Sequence, residues 1–236
     1  MKAITSLIVL LCIMAACSPD STKEELSTST QTFSRKNGSA EPNNPENAND
    51  HIGTVYQSLL DAYYNAPLYK PSLSQIIAQG ETLALQNPSF LSLLNDEVYM
   101  TPSPSEITPY LETQETEIAN LLSSNYGTAT QNLFTGIVGE LNALKISDAT
   151  YSQVHTSLIY YEDQAMTNPD IGEEELSGFL TTTAILRNAL YHDGKRKRRD
   201  RDWEWMIGNI AATANSALES KPQAIIMSFA TDVYQQ

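Results

Sequence analysis

Apolar side chains recur every three or four positions along most of the chain after residue 50, the spacing of one face of an α-helix. The first stripe predicts a helix that begins at Asn49 or Asp50 and ends before Pro67. Its inward residues are Ile52, Val55, Tyr56, Leu59, Leu60 and Tyr63. Because no segment alternates convincingly between apolar and polar residues, the pattern favours helices over strands.

Proline and capping residues divide the next hundred positions into further predicted helices. A second helix begins at Ser72, and a fourth is capped by Ser103 or Thr108 and continues to the Tyr126-Gly127 break. Between them, a short third helix is predicted from Phe90, Leu91, Leu94 and Val98. A fifth follows, with Leu133, Phe134, Ile137, Val138, Leu141 and Leu144 inward.

The C-terminal part shows four more helical stripes. The sixth predicted helix begins at Ser147 or Asp148, and the seventh is capped by Asp170, with acids at residues 173–175 suited to a helix N-terminus. An eighth covers residues 203–218 and a ninth begins at Pro222. The predicted fold class is therefore all-α, a multi-helix bundle or orthogonal helix array of about eight or nine helices.

The N-terminal residues have a different pattern, in which Lys2 precedes an apolar run at residues 7–14 and the small pair Ala15-Ala16 precedes Cys17. This order is that of a secretory signal with a small-residue cleavage site. With a cysteine directly after the small pair, it resembles the lipobox of bacterial lipoproteins. An ordinary cleaved signal is the alternative, since the run is far shorter than the ~20 residues of a membrane-spanning helix.

The lipobox resemblance implies that residues 1–16 are a signal peptide removed by cleavage, that the Cys17 thiol carries diacylglycerol, and that the new N-terminus is acylated. Because Ser18 rather than aspartate follows the cysteine, the resemblance favours the outer membrane of the cell envelope. Whether the periplasmic or the surface side is occupied stays open. Cys17 is the one cysteine that remains after cleavage, so the mature chain has no disulfide.

Residues 17–50 are rich in Ser, Thr, Asn, Pro and Glu, with only Leu26 and Phe33 as large apolar residues. Such a segment buries too little apolar surface to offset the entropy of ordering, which predicts a disordered tether. The Asn- and Asp-rich end of this segment lacks the spacing of a calcium loop, so a linker is the preferred interpretation. Residues 51–236 are then one helical domain.

Charge is distributed unevenly over this domain. Only Lys70, Lys145 and Arg187 are basic among residues 51–194, against 17 acids. An acidic body of this kind argues against nucleic acid as a partner. A dense basic run then follows, beside two tryptophans: Lys195, Arg196, Lys197, Arg198, Arg199, Arg201, Trp203 and Trp205.

The basic run has two interpretations. Bases interleaved with aromatic residues suit an anionic lipid head group or an acidic protein partner. The alternative is a solvated loop that offsets the acidic body, with Asp200 or Asp202 capping the next helix.

No nucleophile elbow, phosphate-binding loop, dinucleotide fingerprint or zinc motif occurs in the sequence, and no cofactor or metal site is expected. His155 and Glu162 share one predicted helix face, although a structural histidine is the preferred interpretation. Glu162 or Asp163 would serve acid chemistry only if a carboxylate converged on it from another helix. The catalytic residues, if any, are unknown.

The sequence therefore predicts a lipid-anchored envelope protein with a helical binding or scaffolding domain. One rival is a hydrolase or carbohydrate-active helical enzyme that uses carboxylates. Another is a membrane-active or toxin-immunity protein that uses residues 203–218, although this segment is short for a membrane span.

Overall fold

The structure is a computed structural model and describes residues 40–95, 97–111, 118–195 and 204–235. Every regular element in this part of the chain is helical, which confirms the all-α fold class. The elements are α1 (Asp50–Asn65), α2 (Leu73–Ala84), α3 (Pro88–Leu93), α4 (Pro104–Leu111), α5 (Ile118–Leu122), α6 (Thr128–Ile146), α7 (Tyr151–Thr167), α8 (Glu173–Lys195), α9 (Glu204–Glu219) and α10 (Lys221–Tyr234).

Helices α8, α9 and α10 form the centre of the molecule. Residues 178–192 of α8 and 222–233 of α10 are buried without interruption, as expected for helices covered on all sides. Helices α1 and α2 pack on one side of this centre, and α6 and α7 cover the other. The apolar core accordingly has two parts, and α8 contributes Ile185 to the first and Phe179 to the second.

Helix α1 confirms its predicted apolar stripe, since all six of the inward residues are buried. Each such side chain contributes about 1.5–3 kcal/mol to stability when fully buried. On the same helix, Gly53 lies so close to α8 that an added Cβ would be 2.4 Å from the Ala184 carbonyl oxygen. Glycine at this position therefore sets the close approach of the two helices.

Capping residues explain several boundaries, including one that the sequence analysis placed wrongly. Helix α2 begins after Ser72, as predicted, and Ser72 forms a capping box with Gln75. Helix α7 instead begins after Thr150, which forms a capping box with Gln153. Ser147 belongs to the end of α6, and Asp148 has a left-handed φ of 53°, so the two residues terminate one helix rather than start the next.

Two further helix predictions need correction, and a third stays untested. Helix α3 ends at Leu93, and Val98 beyond it is 82% exposed rather than inward. Helices α4 and α5 cover the two described parts of the fourth predicted helix, whose continuity through residues 112–117 stays a prediction because these lie outside the described ranges. Helix α8 begins at Glu173 and not directly after Asp170.

Packing against the helices begins before residue 51, the predicted start of the helical domain. Pro42, Asn44, Asn47 and Asn49 are buried against the helices, and Ala40 packs on the second part of the core. Hydrogen bonds rather than apolar burial hold this segment, which is why its composition resembled a linker. Residues 1–39, with Cys17 and most of the predicted tether, lie outside the described part.

Candidate functional site

The segment of residues 41–49, called the strap below, contacts α7 and α8 and leads into α1. Its asparagine side chains supply most of its contacts. Asn47 Nδ2 donates to the Leu180 carbonyl oxygen at 2.9 Å, and Asn49 Nδ2 donates to that of Ser177, also at 2.9 Å. These bonds fix the strap along the N-terminal half of α8.

Beneath the strap lies a group of charged and amide side chains, Asp50, Glu162, Arg187, Asn44 and Asn47, which we call the Arg187 cluster. The Arg187 and Glu162 side chains are 0% exposed, and Asp50 is 22% exposed. Arg187 Nε donates to Glu162 Oε1 at 3.1 Å, and Nη2 donates to Asp50 Oδ1 at 2.7 Å. The third guanidinium nitrogen, Nη1, donates to the Pro42 carbonyl oxygen of the strap.

Both carboxylate oxygens of Glu162 are occupied. Oε2 accepts from Asn44 Nδ2, and Oε1 accepts from Asn47 Nδ2 at 2.9 Å as well as from Arg187. Asp50 accepts a further bond from the Asn44 backbone N–H at 3.0 Å. The cluster is thus a network in which buried charges are paired and hydrogen-bonded, the arrangement that makes charge burial tolerable.

His155 lies on α7 about two turns before Glu162, and it contacts the strap. Its Nε2 is 3.1 Å from the Asn43 carbonyl oxygen, and its ring is half-buried. Burial lowers the pKa of His155 below its usual value of 6.5. The hydrogen bond to Asn43 raises this pKa, whereas the Arg187 charge lowers it further. The neutral ring then donates to the strap backbone.

The convergence that acid chemistry would require is therefore present, since Asp50 joins Glu162 from another helix. A general acid or base must, however, reach within hydrogen-bond distance of its substrate. Glu162 is fully buried and already accepts hydrogen bonds from three side chains, so in this arrangement it holds the strap and does not face a ligand. Asp163, its neighbour, points outward and is exposed.

Most of the predicted basic run lies outside the described residues. Lys195 is the last residue of α8 and Trp205 belongs to α9, but neither side chain is described. Residues 196–203, which contain Arg196, Lys197, Arg198, Arg199, Arg201 and Trp203, lie outside the described ranges. Binding by this run stays a prediction.

The described residues include two open concavities lined by polar side chains. One, of about 410 Å³, lies where α9 joins α10 and includes Glu97, Glu173, Glu174 and Glu219. Lys221 Nζ donates to Glu97 there at 2.9 Å. Glu175, one residue on, accepts from the Thr130 hydroxyl at 2.6 Å and so fastens α8 to the start of α6.

The second concavity, called the α7 groove below, has a volume of about 570 Å³. It lies on the opposite face of α7 from the Arg187 cluster. Its lining is Glu140, Thr150, Ser152, Gln153, Thr156, Ser157, Tyr160 and Tyr161. The site was not predicted from the sequence, although hydroxyl-bearing residues recur along one face of the α7 segment.

Within the described ranges, no group of three or more His, Cys, Asp or Glu residues is arranged to hold a metal ion. No helix in those ranges is long and apolar enough to cross a membrane. Comparison with protein-family models, with curated proteins and with solved structures gives no match.

Proposed function

We propose that this chain is a lipid-anchored protein of the bacterial cell envelope whose helical domain binds a ligand or partner. The anchor half rests on the sequence around Ala15, Ala16 and Cys17. Several acyl chains at one residue hold a protein stably, whereas a single chain binds only marginally. The outer membrane is the expected location.

The closure of the Arg187 cluster is the observation that supports binding over catalysis. Within that cluster, the carboxylates of Asp50 and Glu162 converge from separate helices but are committed to Arg187 and the strap. The open concavities instead present hydrogen-bonding side chains on a rigid helical support. An anionic lipid or an acidic protein remains the proposed partner of the basic run, residues 195–201.

The test of the anchor compares two cysteine variants in a bacterial host that processes lipoproteins. Wild-type protein and the Cys12→Ser control should incorporate labelled palmitate and sediment with membranes, because Cys12 leaves with the signal. Cys17→Ser should incorporate no label and should be released or remain unprocessed. An unmodified N-terminus beyond Cys17 in the mature wild type would overturn the proposal.

A further inference from the structure

The α7 groove is built mainly from one face of α7. Gln153, Thr156, Ser157, Tyr160 and Tyr161 follow the three- and four-residue spacing that brings side chains together on a helix. Glu140 of α6 completes the lining. Because the other face of α7 is fixed by the buried residues Val154, Leu158 and Glu162, the groove has a rigid base.

Hydrogen-bonding groups in the groove are left available for a ligand. Among the described residues, the hydroxyl groups of Ser152, Ser157, Tyr160 and Tyr161 have no hydrogen-bond partner. Each hydroxyl can donate one bond and accept others. The groove therefore offers a row of neutral donors and acceptors rather than a charged clamp.

Two tyrosine rings supply the large apolar surfaces of the groove. Tyr160 is 57% exposed, and its ring meets Tyr161 edge to face with centroids 5.5 Å apart. Tyr161 lies across α6 at Gly136, where an added Cβ would be 2.8 Å from the ring atom Cε1. The absence of a side chain at Gly136 therefore leaves the space that the Tyr161 ring occupies.

The charges of the residues that line the α7 groove limit the class of ligand that it can bind. Glu140 is its one charged residue, and no Lys or Arg contributes to it. Phosphate, nucleotide and carboxylate ligands are disfavoured there because they need a cationic partner. An acyl chain would leave the row of hydroxyls without hydrogen bonds, which costs free energy on burial.

We propose that the α7 groove binds a neutral oligosaccharide. Sugar hydroxyls match the donor and acceptor row, and the apolar C–H face of a sugar ring can stack on an exposed tyrosine, whose ring has both apolar and polar character. A volume of about 570 Å³ falls within the usual range of small-molecule sites, ~300–1,000 Å³. This inference rests on the proposed binding role of the domain and not on the lipid anchor.

The direct test is calorimetric titration of the purified full-length protein, in a non-glycoside detergent, with cellohexaose, maltohexaose, mannohexaose and chitohexaose. We expect at least one of these to bind with a dissociation constant of about 1 mM or tighter. Polygalacturonate serves as an anionic comparison and should bind more weakly. If none of the four neutral sugars binds, the inference is wrong, while the palmitate result for Cys17 still decides the proposed anchor.

Two glycine variants on α6 show whether the site is the α7 groove. Gly136→Ala displaces the Tyr161 ring and should weaken binding at least about tenfold. Gly139→Ala is the matched control, because an added Cβ there meets nothing within 4 Å, and it should leave binding unchanged. Both substitutions exchange glycine for alanine within the same helix, so effects on helix propensity are shared.

Tyr160→Ala is a second variant, and its effect on binding should not require any rearrangement of the core, since the Tyr160 ring is largely exposed. It should also weaken sugar binding at least about tenfold while the circular dichroism melting curve stays close to wild type. Equal affinity for wild type, Gly136→Ala and Tyr160→Ala would overturn the assignment of the sugar site to this groove.

Discussion

The two faces of α7 carry polar side chains in opposite states. On the inner face, Glu162 is fully buried and accepts hydrogen bonds from three side chains. On the outer face, Ser157 and Tyr160 line an open groove and their hydroxyls have no partner among the described residues. One face is therefore committed to the fold, and the other is available to a ligand.

This contrast shows why the identity of a polar residue does not by itself reveal its role. Glu162 and Asp50 are the residue types of an acid–base site. Their carboxylates, however, accept hydrogen bonds from Arg187 and the strap, and this gives the pair a structural role. The groove contains one acid, Glu140, and otherwise neutral side chains, but their exposure makes them suitable for binding. Access and unused hydrogen-bonding capacity distinguish the two regions.

The largest effect should come from changing the charge at the centre of the closed face. Glu162→Gln removes the carboxylate that pairs with Arg187 and turns an amide N–H₂ toward the donors of Asn44 or Asn47. Loss of one partner of a buried ion pair costs about 3–5 kcal/mol in the free energy of unfolding. Urea denaturation of the full-length protein measures this change.

Asp163→Asn is the matched control for that variant. It alters a carboxylate at the next position of the same helix, but the side chain is exposed, so the free energy of unfolding should change by no more than about 0.5 kcal/mol. Similar destabilisation by both substitutions would contradict the distinction between the two faces of α7.

A smaller loss should follow from loosening the strap. Asn47→Ala removes the bonds to Glu162 and Leu180. It also removes the Oδ1 atom that accepts from the Asn49 backbone N–H at 2.8 Å, so this buried N–H loses its acceptor and the free energy of unfolding should fall by about 2–3 kcal/mol. Hydrogen exchange of residues 44–50 should accelerate in the same variant. Limited proteolysis of wild type should leave a core that retains residues 41–50.

Asn43→Ala is the control for the strap, because its side chain is exposed and its contact with His155 uses the backbone carbonyl oxygen. It should keep wild-type stability and exchange. Proteolytic cleavage of wild type between residues 41 and 50 under native conditions would show that the strap is not part of the domain.

The smallest effect expected is a pH dependence from His155. The pKa of its ring is lower in the folded protein than the usual 6.5, chiefly because of burial. As the pH falls below 6.5, His155 is therefore protonated in the unfolded chain before it is protonated in the folded protein. The free energy of unfolding decreases over this pH range as a result. His155→Gln should reduce that slope in denaturation curves measured between pH 7 and pH 5; an unchanged slope would assign it to other groups.

Much of the fold could be predicted because its signals are local. The stripe of α1 specifies both the helix and its buried face, and Ser72 with Gln75 marks the start of α2 by a spacing that is visible in the sequence. The start of α7 had the same kind of signal in Thr150 and Gln153. Ser147 and Asp148 obscured it, because both are also common capping residues.

The strap and the Arg187 cluster could not be predicted in the same way. Asn47 and Glu162 are separated by 115 positions, and Arg187 and Pro42 by 145. Nothing in the local composition of residues 41–49 indicates that their partners are a buried arginine and glutamate. The available signal was Arg187 itself, a lone base within the apolar stripe of α8.

The position of the strap determines how the domain bears mechanical load. Tension applied to the N-terminus enters the described part of the chain at Ala40 and meets the Pro42, Asn44 and Asn47 contacts before it reaches α1. These bonds connect the strap to α7 and α8, so such a force would reach those helices before it reaches the start of α1. Arg187, through its bond to the Pro42 carbonyl oxygen, would be among the first residues of the domain to bear a force applied from the N-terminal side.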